Sequence, residues 1–233
     1  MKIDWTHVEV LTFDCYGTLI DWETGLLSAL MPIFLSHQKG MDSAKVLELY
    51  ADFEGEAERG PFQNYKAILQ GVMDRFAKHL NVDFNDTERK CLVESVKHWQ
   101  PFPDTIDSLR RLKAKYKLAV ISNTDDDIFS FTQQHLVVKF DWIITAEQVK
   151  SYKPSLNNFL TAIKKIGVPA DRIVHVAQSL YHDVAPANQL GLRTVWINRR
   201  QGQEGHGATL SGNATPDVVL PDLRSLADLV GVP

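Results

Sequence analysis

The chain has 233 residues, 44% of them hydrophobic and 23% charged, and a formal net charge of −4. This length allows one large domain, or one domain with a sizeable insertion. The 25 basic residues are scattered through a net acidic chain, which argues against nucleic acid as a partner. No segment resembles a membrane span or a secretion leader, and two cysteines without metal-site spacing fit a reducing compartment, so we expect a cytoplasmic protein without membrane partners.

The first predicted element is a buried strand that ends in an acid. The mostly apolar run from Val8 to Phe13 leads directly into Asp14, and Gly17-Thr18 then turns the chain. In a parallel sheet this pattern places a carboxylate at the carboxyl end of the strand, where open α/β folds bind ligands. Tyr16 stands two residues later, where a phosphate-ester substrate would require a second acid. A single carboxylate therefore favours a nucleophile that attacks carbon rather than phosphorus.

The next region is helical throughout. From Asp21 to Trp99 the apolar residues recur at helix spacing, and no strand pattern interrupts them. Gly60-Pro61 breaks the middle, and Pro101 ends the last stripe, because proline cannot continue a helix. We predict four or five helices. They leave from the rim that carries Asp14, so we expect them to form a lid.

After Pro103 the pattern changes to short β-branched runs that alternate with helices, which indicates a parallel sheet covered on both faces. The predicted strands are residues 118–121, 142–144, 173–177, 194–197 and 218–220. The glycine-rich stretch from Gln201 to Asn213 is predicted to be a mobile surface loop. The predicted fold class is α/β, with a Rossmann-like parallel sheet formed by residues 1–19 and 101–233. An all-helical cap domain, residues 20–100, is inserted after the first strand.

Polar residues follow four of the strands and should converge, because right-handed crossovers place all the strand ends on one rim. They are Asp14, Ser122 with Asn123, Lys153 and Asp183. Lys153 is expected to keep Asp14 ionised, since a nearby ammonium lowers a carboxyl pKa by about 1–3 units. Ser122 and the backbone N–H groups beside it are candidates to hold a carboxylate or oxyanion.

These motifs, in this order and with a helical insertion after the first, resemble those of the haloacid dehalogenase (HAD) superfamily over nearly the whole chain. Phosphatases of that superfamily carry Asp-x-Asp and Gly-Asp-Ser, where this chain has Asp14-Cys15-Tyr16 and Ala177-Gln178-Ser179. Both departures remove an acid, and Mg²⁺ prefers carboxylate oxygens. The Asp-x-Tyr-Gly-Thr form with Ser122-Asn123 is similar to the (S)-2-haloacid dehalogenase branch, which implies catalysis without a metal or other cofactor.

The resemblance implies a mechanism and a substrate class. Asp14 would displace the halide from a small 2-haloalkanoic acid, giving an aspartyl ester, and water activated by Asp183 with help from Lys153 would hydrolyse it. The lid arginine that draws off the halide in that branch has no counterpart between Leu49 and Glu54. A homodimer is compatible with the resemblance. The candidate substrate-binding residues are Tyr16, Ser122, Asn123, His182 and Phe62.

Alternatives stay open for the function and for single residues. The chain could transfer phosphoryl groups with Mg²⁺ on Asp14, the Tyr16 carbonyl and Asp183, or it could be a non-catalytic relative that binds small anions. Asp183 could instead cap a helix that begins near Val184. His175 lies in a buried strand pattern and is interpreted as a core histidine with satisfied hydrogen bonds. Cys15 is interpreted as a small buried residue rather than a thiolate.

Overall fold

A six-stranded sheet forms the centre of the molecule, in the order β3-β2-β1-β4-β5-β6, and all its strand pairs are parallel. The strands are β1 (Val10–Phe13), β2 (Lys117–Ser122), β3 (Trp142–Thr145), β4 (Ile173–Ala177), β5 (Arg193–Ile197) and β6 (Val218–Leu220). The computed structural model describes residues 3–232; residues 1, 2 and 233, the outer ends of the predicted core segments, lie outside this range. The predicted α/β class and the strand positions are confirmed.

Five α-helices lie between β1 and the core helix that begins at Thr105, and we call them the cap helices. They are α1 (Trp22–Ser36), α2 (Ser43–Glu58), α3 (Tyr65–Leu80), α4 (Asp86–Arg89) and α5 (Cys91–Ser95). Side chains of Asp21, Asp42 and Asn64 accept backbone N–H groups at the starts of the three long helices. Such caps stabilise a helix because its first turn has no internal acceptors. The boundaries of the cap domain at residues 20 and 100 stay a prediction.

The remaining helices cover both faces of the sheet. They are α6 (Thr105–Lys113), α7 (Asp126–Leu136), α8 (Ala146–Val149), α9 (Leu156–Ile166), α10 (Ala185–Gln189) and α11 (Leu223–Leu229). Alternate residues of β1 face opposite sides: Leu11 and Phe13 join the cluster that includes the cap helices and α11, while Val10 joins the cluster around α9. The sheet is therefore buried on both faces, as parallel sheets require.

The glycine-rich stretch from Gln201 to Asn213 begins as an exposed loop, as predicted, but its second half is packed against the protein. Ala208 and Thr209 within it are buried. The Ala208 N–H donates to the Glu23 carboxylate of α1 at 2.8 Å, and a side-chain Cβ on Gly55 of α2 would meet Leu210 at 2.6 Å. The loop is thus packed against two cap helices, because its small residues allow close approach. Among residues 3–232, no helix is long and apolar enough to cross a membrane.

Candidate active site

One ammonium group joins two carboxylates at the carboxyl edge of the sheet. Lys153 Nζ lies 2.7 Å from Asp14 Oδ1 and 2.7 Å from Asp183 Oδ1, and it also donates to the Ile121 carbonyl at 2.9 Å. These three bonds use all three ammonium protons. Only 2% of Lys153 is exposed to solvent. The sequence therefore predicted correctly that Asp14, Lys153 and Asp183 converge.

The chain reaches this arrangement through strand ends and one amide. Asp14 directly follows β1 and Asp183 lies in a π-helical turn (Leu180–Val184) after β4, the strand next to β1. Lys153 is eight residues beyond β3, in a loop that Asn123 holds. The Asn123 side chain accepts from the Lys153 backbone N–H at 2.7 Å and donates to its carbonyl at 3.1 Å. Asn123 therefore positions Lys153.

Thr18 fixes the second oxygen of Asp14. The Thr18 hydroxyl donates to Asp14 Oδ2 at 2.7 Å and accepts the backbone N–H of Gln178 at 2.8 Å. Gly17 allows the turn between them with a φ of 91°, a conformation that residues with a Cβ rarely adopt. The turn at Gly17-Thr18 was predicted from the sequence, whereas the hydrogen bonds of Thr18 to Asp14 and Gln178 were not.

His175 holds Asp183 in place through a hydrogen bond. Its Nε2 lies 2.9 Å from Asp183 Oδ1, and its Nδ1 lies 2.9 Å from the Thr12 hydroxyl. Because the Asp183 carboxylate accepts, Nε2 carries a proton. His175 is fully buried in β4, as its strand pattern predicted, but its partner is a candidate catalytic residue. Thr12 and His175 are register partners in neighbouring strands, and the sequence could not reveal this pairing.

Burial and charge act in opposite directions on the two carboxyl groups. Burial raises the pKa of Asp14; Lys153 only partly offsets this rise, and the negative charge of Asp183 adds to it. Lys153 therefore lowers the pKa of Asp14, as the sequence predicted, but burial leaves that pKa above its usual value. Burial also opposes ionisation of Asp183, but Lys153 and the His175 hydrogen bond outweigh it and lower its pKa to about 2. The two acids consequently differ in basicity.

A small pocket opens above Asp14. Core loops contribute Asp14 and Lys153 to its walls, the cap helices contribute Trp22 and Glu54, and the loop after β5 contributes Thr209. Its cavity volume of about 40 Å³ holds roughly three water molecules at the 10–15 Å³ that each needs. The pocket therefore suits a small ligand.

Tyr16 and His182, two of the predicted substrate-binding residues, line this pocket. The Tyr16 hydroxyl lies 2.8 Å from the Thr132 hydroxyl, and burial raises the pKa of the Tyr16 phenol, so it stays protonated. The backbone N–H of His182 donates to the Ser179 hydroxyl at 2.8 Å. Burial lowers the pKa of the His182 ring to about 4. Both side chains are thus neutral near pH 7.

Three other candidates are placed differently. Ser122 is fully buried, lies outside the pocket wall, and its hydroxyl has no hydrogen-bond partner among the described residues. Phe62 lies outside the wall too, stacked on Tyr152 with ring centroids 5.5 Å apart. Asn123 does line the pocket, but its amide also donates to the Glu58 carboxylate at 3.3 Å. Ser122 and Phe62 therefore do not line the pocket as it stands in this structure.

The donor set does not fit a divalent cation. The metal alternative uses Asp14 and Asp183, but an ammonium already lies 2.7 Å from an oxygen of each. Gln178 lines the pocket where the motif of the phosphatases has an acid. Throughout residues 3–232, no group of three or more His, Cys, Asp or Glu side chains is arranged to hold a metal ion. Within the described residues, the site thus presents an ammonium between two acids rather than a cluster of metal ligands.

Two acids of the cap were not predicted from the sequence. Glu54 and Glu58 of α2 both line the pocket. Their spacing of four residues places them on one helix face, which is the only signal that the sequence offered. No alternation or motif indicates which face of a cap helix looks toward Asp14.

Comparison with known proteins extends these observations. A family profile described as haloacid dehalogenase-like hydrolase matches residues 8–191. An (S)-2-haloacid dehalogenase of Pseudomonas putida is 26% identical over 208 residues, or 84% of this chain and 87% of that protein. The structure of L-2-haloacid dehalogenase from Xanthobacter autotrophicus has a TM-score of 0.79 at 17% identity, covering 96% of this chain and 98% of that one. This last likeness shows a shared fold.

A phosphatase also shares part of the sequence. A glyceraldehyde 3-phosphate phosphatase of Methanocaldococcus jannaschii is 30% identical over 138 residues, which cover 56% of this chain and 57% of that protein. The family profile spans most of the chain, including β1, the cap helices and β4. The chain therefore belongs to the haloacid dehalogenase-like hydrolases.

Proposed function

We propose that this protein hydrolyses the carbon–halogen bond of small (S)-2-haloalkanoic acids through an ester on Asp14, without a metal. The observation that carries the proposal is the Lys153 ammonium bonded to both Asp14 and Asp183 at 2.7 Å. Asp14, at the end of β1, faces a small pocket, with tyrosine rather than an acid at position 16. The relatives named (S)-2-haloacid dehalogenase support the same substrate class.

In the first step, an oxygen of Asp14 attacks the carbon that bears the halogen. A C–O bond forms, the carbon–halogen bond breaks with inversion, and the halide leaves with the bonding electron pair. Lys153 and Thr18 hold the two carboxylate oxygens in place. Such orientation supplies much of a rate, since well-placed intramolecular attack reaches effective molarities on the order of 10⁵ M or more.

In the second step, water attacks the carbonyl carbon of the Asp14 ester. Asp183 accepts a proton from that water, and the alkoxide that leaves as product takes a proton back. A carboxylate with a pKa of about 2 is a weak base near pH 7.

Backbone N–H groups are the proposed seat of the substrate carboxylate. Tyr16 and Asn123 both line the pocket, and within the described part of the chain neither backbone N–H donates to a protein acceptor. The Asn123 side chain is already engaged by Lys153 and Glu58. Oriented N–H dipoles stabilise an anion in a site with little water.

One assay tests the proposed chemistry. Enzyme treated with a chelator is given (S)-2-chloropropanoate, (R)-2-chloropropanoate or an aryl phosphate, and halide and phosphate are measured. We expect halide from the (S)-acid alone, with no loss on chelation. Phosphate release that the chelator abolishes would favour the metal-dependent alternative, and binding without any turnover would favour a non-catalytic protein.

Isotope labelling tests the ester. After many turnovers in ¹⁸O-water, the peptide that contains Asp14 should carry the label, because water attacks the Asp14 carbonyl carbon. The same measurement on Asp14→Asn should show neither label nor halide. Label found only in the product would mean that water attacks the substrate directly, and the covalent step would be wrong.

A further inference from the structure

Glu54 is a buried carboxylate that faces the pocket. It lies in α2, only 6% of it is exposed, and it forms part of the pocket wall. The hydroxyls of Tyr50 and Tyr65 both donate to Glu54 Oε1 at 2.7 Å. Among residues 3–232, no donor reaches the other oxygen, Oε2. Two neutral donors therefore fix the carboxylate, and one oxygen stays available to a ligand.

No cation of the described chain balances Glu54. The only lysine or arginine in the pocket wall is Lys153, and its three protons are taken by Asp14, Asp183 and the Ile121 carbonyl. Arg59 follows on the next turn of the chain, but it is exposed and its Nε donates to the Gly55 carbonyl at 2.9 Å. The ionisable groups that share the pocket wall with Glu54 are Asp14, Tyr16, Glu58, Tyr65, Lys153, His182 and Asp183.

Four carboxyl groups and a single ammonium, that of Lys153, line this wall. Glu58 lies one helical turn beyond Glu54, and burial together with Glu54 raises the pKa of Glu58. Burial also raises the pKa of Glu54 to about 7, although the two tyrosine hydroxyls oppose the rise. Burying a carboxylate without an opposite charge is costly. A cation placed between these acids would remove that cost, and a second anion would increase it.

We propose that Glu54 is a specificity-determining residue that binds a protonated amine of the substrate, remote from the carbon that reacts. This inference rests on the proposed function, which identifies the reacting part of the substrate as a 2-haloalkanoic acid. The substrate class is then the 2-haloalkanoic acids with an ammonium group, bound with the carboxylate at the core loops and the ammonium at α2.

A matched series of four-carbon acids tests the selection. The substrates are 2-chlorobutanoate, 4-amino-2-chlorobutanoate and 2-chlorosuccinate, which differ in the charge of one end. We expect kcat/KM for 4-amino-2-chlorobutanoate to exceed that for 2-chlorobutanoate by tenfold or more. Chlorosuccinate should be the poorest substrate of the three. Glu54→Gln should collapse the preference. The control Glu56→Gln, an exposed acid of the same helix, should keep it.

A binding measurement separates this inference from the proposed reaction. Calorimetry of the wild-type enzyme with 4-aminobutanoate, butanoate and succinate requires no turnover. We expect the amine to bind at least tenfold more tightly than butanoate and to release protons at pH 7, because an ammonium lowers the pKa of Glu54 and Glu58. Glu54→Gln should remove both effects.

The outcomes distinguish the two claims. Amine-selective binding that depends on Glu54, with no halide released from any acid, would support the inference and contradict the dehalogenase function. Halide release without any preference for the amine, or a preference that survives Glu54→Gln, would overturn the inference and leave the dehalogenase function in place. Equal binding of all three probes would also overturn it.

Discussion

At the scale of single residues, Lys153 decides the behaviour of the site. It is the shared counterion of two buried acids, and burial would otherwise favour their neutral forms. An ion pair of this kind contributes little net stability compared with apolar packing, but removing one partner leaves an uncompensated charge. The same ammonium therefore supports both the fold and the ionised state of Asp14.

We expect Lys153→Met to lower the free energy of unfolding by about 3–5 kcal/mol at pH 7. Without the ammonium, the pKa of Asp14 and of Asp183 in the folded protein rises above the unfolded value of about 3.9. The folded variant then binds more protons than the unfolded chain, so its stability increases as the pH falls. Wild-type Asp183, with a pKa of about 2, loses its contribution only far below this range.

Urea unfolding at pH 7 and pH 5 measures this effect. The difference in the free energy of unfolding between the wild type and Lys153→Met should be smaller at pH 5 than at pH 7. Lys66→Met is the matched control, because Lys66 pairs with Asp127 on the surface. Exposed pairs contribute about 0–1 kcal/mol, so the control should show a small loss that hardly depends on pH. A loss in Lys153→Met that stays constant with pH would show that shape rather than charge is responsible.

The sequence predicted the site residues that follow strands, but it did not predict the contacts that depend on how the strands pair. Asp14, Lys153 and Asp183 follow strands, and the strand pattern depends on local periodicity. His175 contacts Thr12, and the Thr18 hydroxyl donates to Asp14. The contact between His175 and Thr12 depends on the register of β1 with β4. Local pattern cannot reveal such pairs.

At the scale of elements, the start of α3 depends on a residue of the core. Asp125 precedes α7, yet its side chain does not cap α7. Its two oxygens accept the backbone N–H groups of Tyr65 and Lys66 at 2.7 and 3.1 Å. Asp125, Asp126 and Asp127 form an acidic cluster at the start of α7. Only the folded chain shows that the first of them also connects to α3.

We expect Asp125→Ala to cost about 1–2 kcal/mol of stability, since two N–H groups of the first turn of α3 lose their acceptor. The variant should also open the cap more often, seen as faster hydrogen exchange at the start of α3. Asn64→Ala is the control, because Asn64 caps the same helix through Ala67 but does not connect it to the core. Equal exchange in the two variants would mean that Asp125 is only a helix cap.

At the scale of the whole molecule, the pocket exists only where three parts of the chain meet. The core supplies Asp14 and Lys153, the cap supplies Trp22 and Glu54, and the loop after β5 supplies Thr209. The chemistry therefore belongs to the strand ends, while the size and charge of the accepted ligand belong to the cap and the loop. Substrate preference can change in such a fold without a change at the nucleophile.

The final prediction concerns Trp22, which is buried and limits the pocket from the cap side. Trp22→Leu should enlarge a cavity of about 40 Å³ and raise the ratio of kcat/KM for 2-chlorohexanoate to that for 2-chloropropanoate by about tenfold. Phe34→Leu is the control: Phe34 is a fully buried residue of the same helix that does not line the pocket. It should lose stability and keep the wild-type ratio. If both variants shift the ratio equally, general loosening of the cap, rather than the indole of Trp22, sets the size limit.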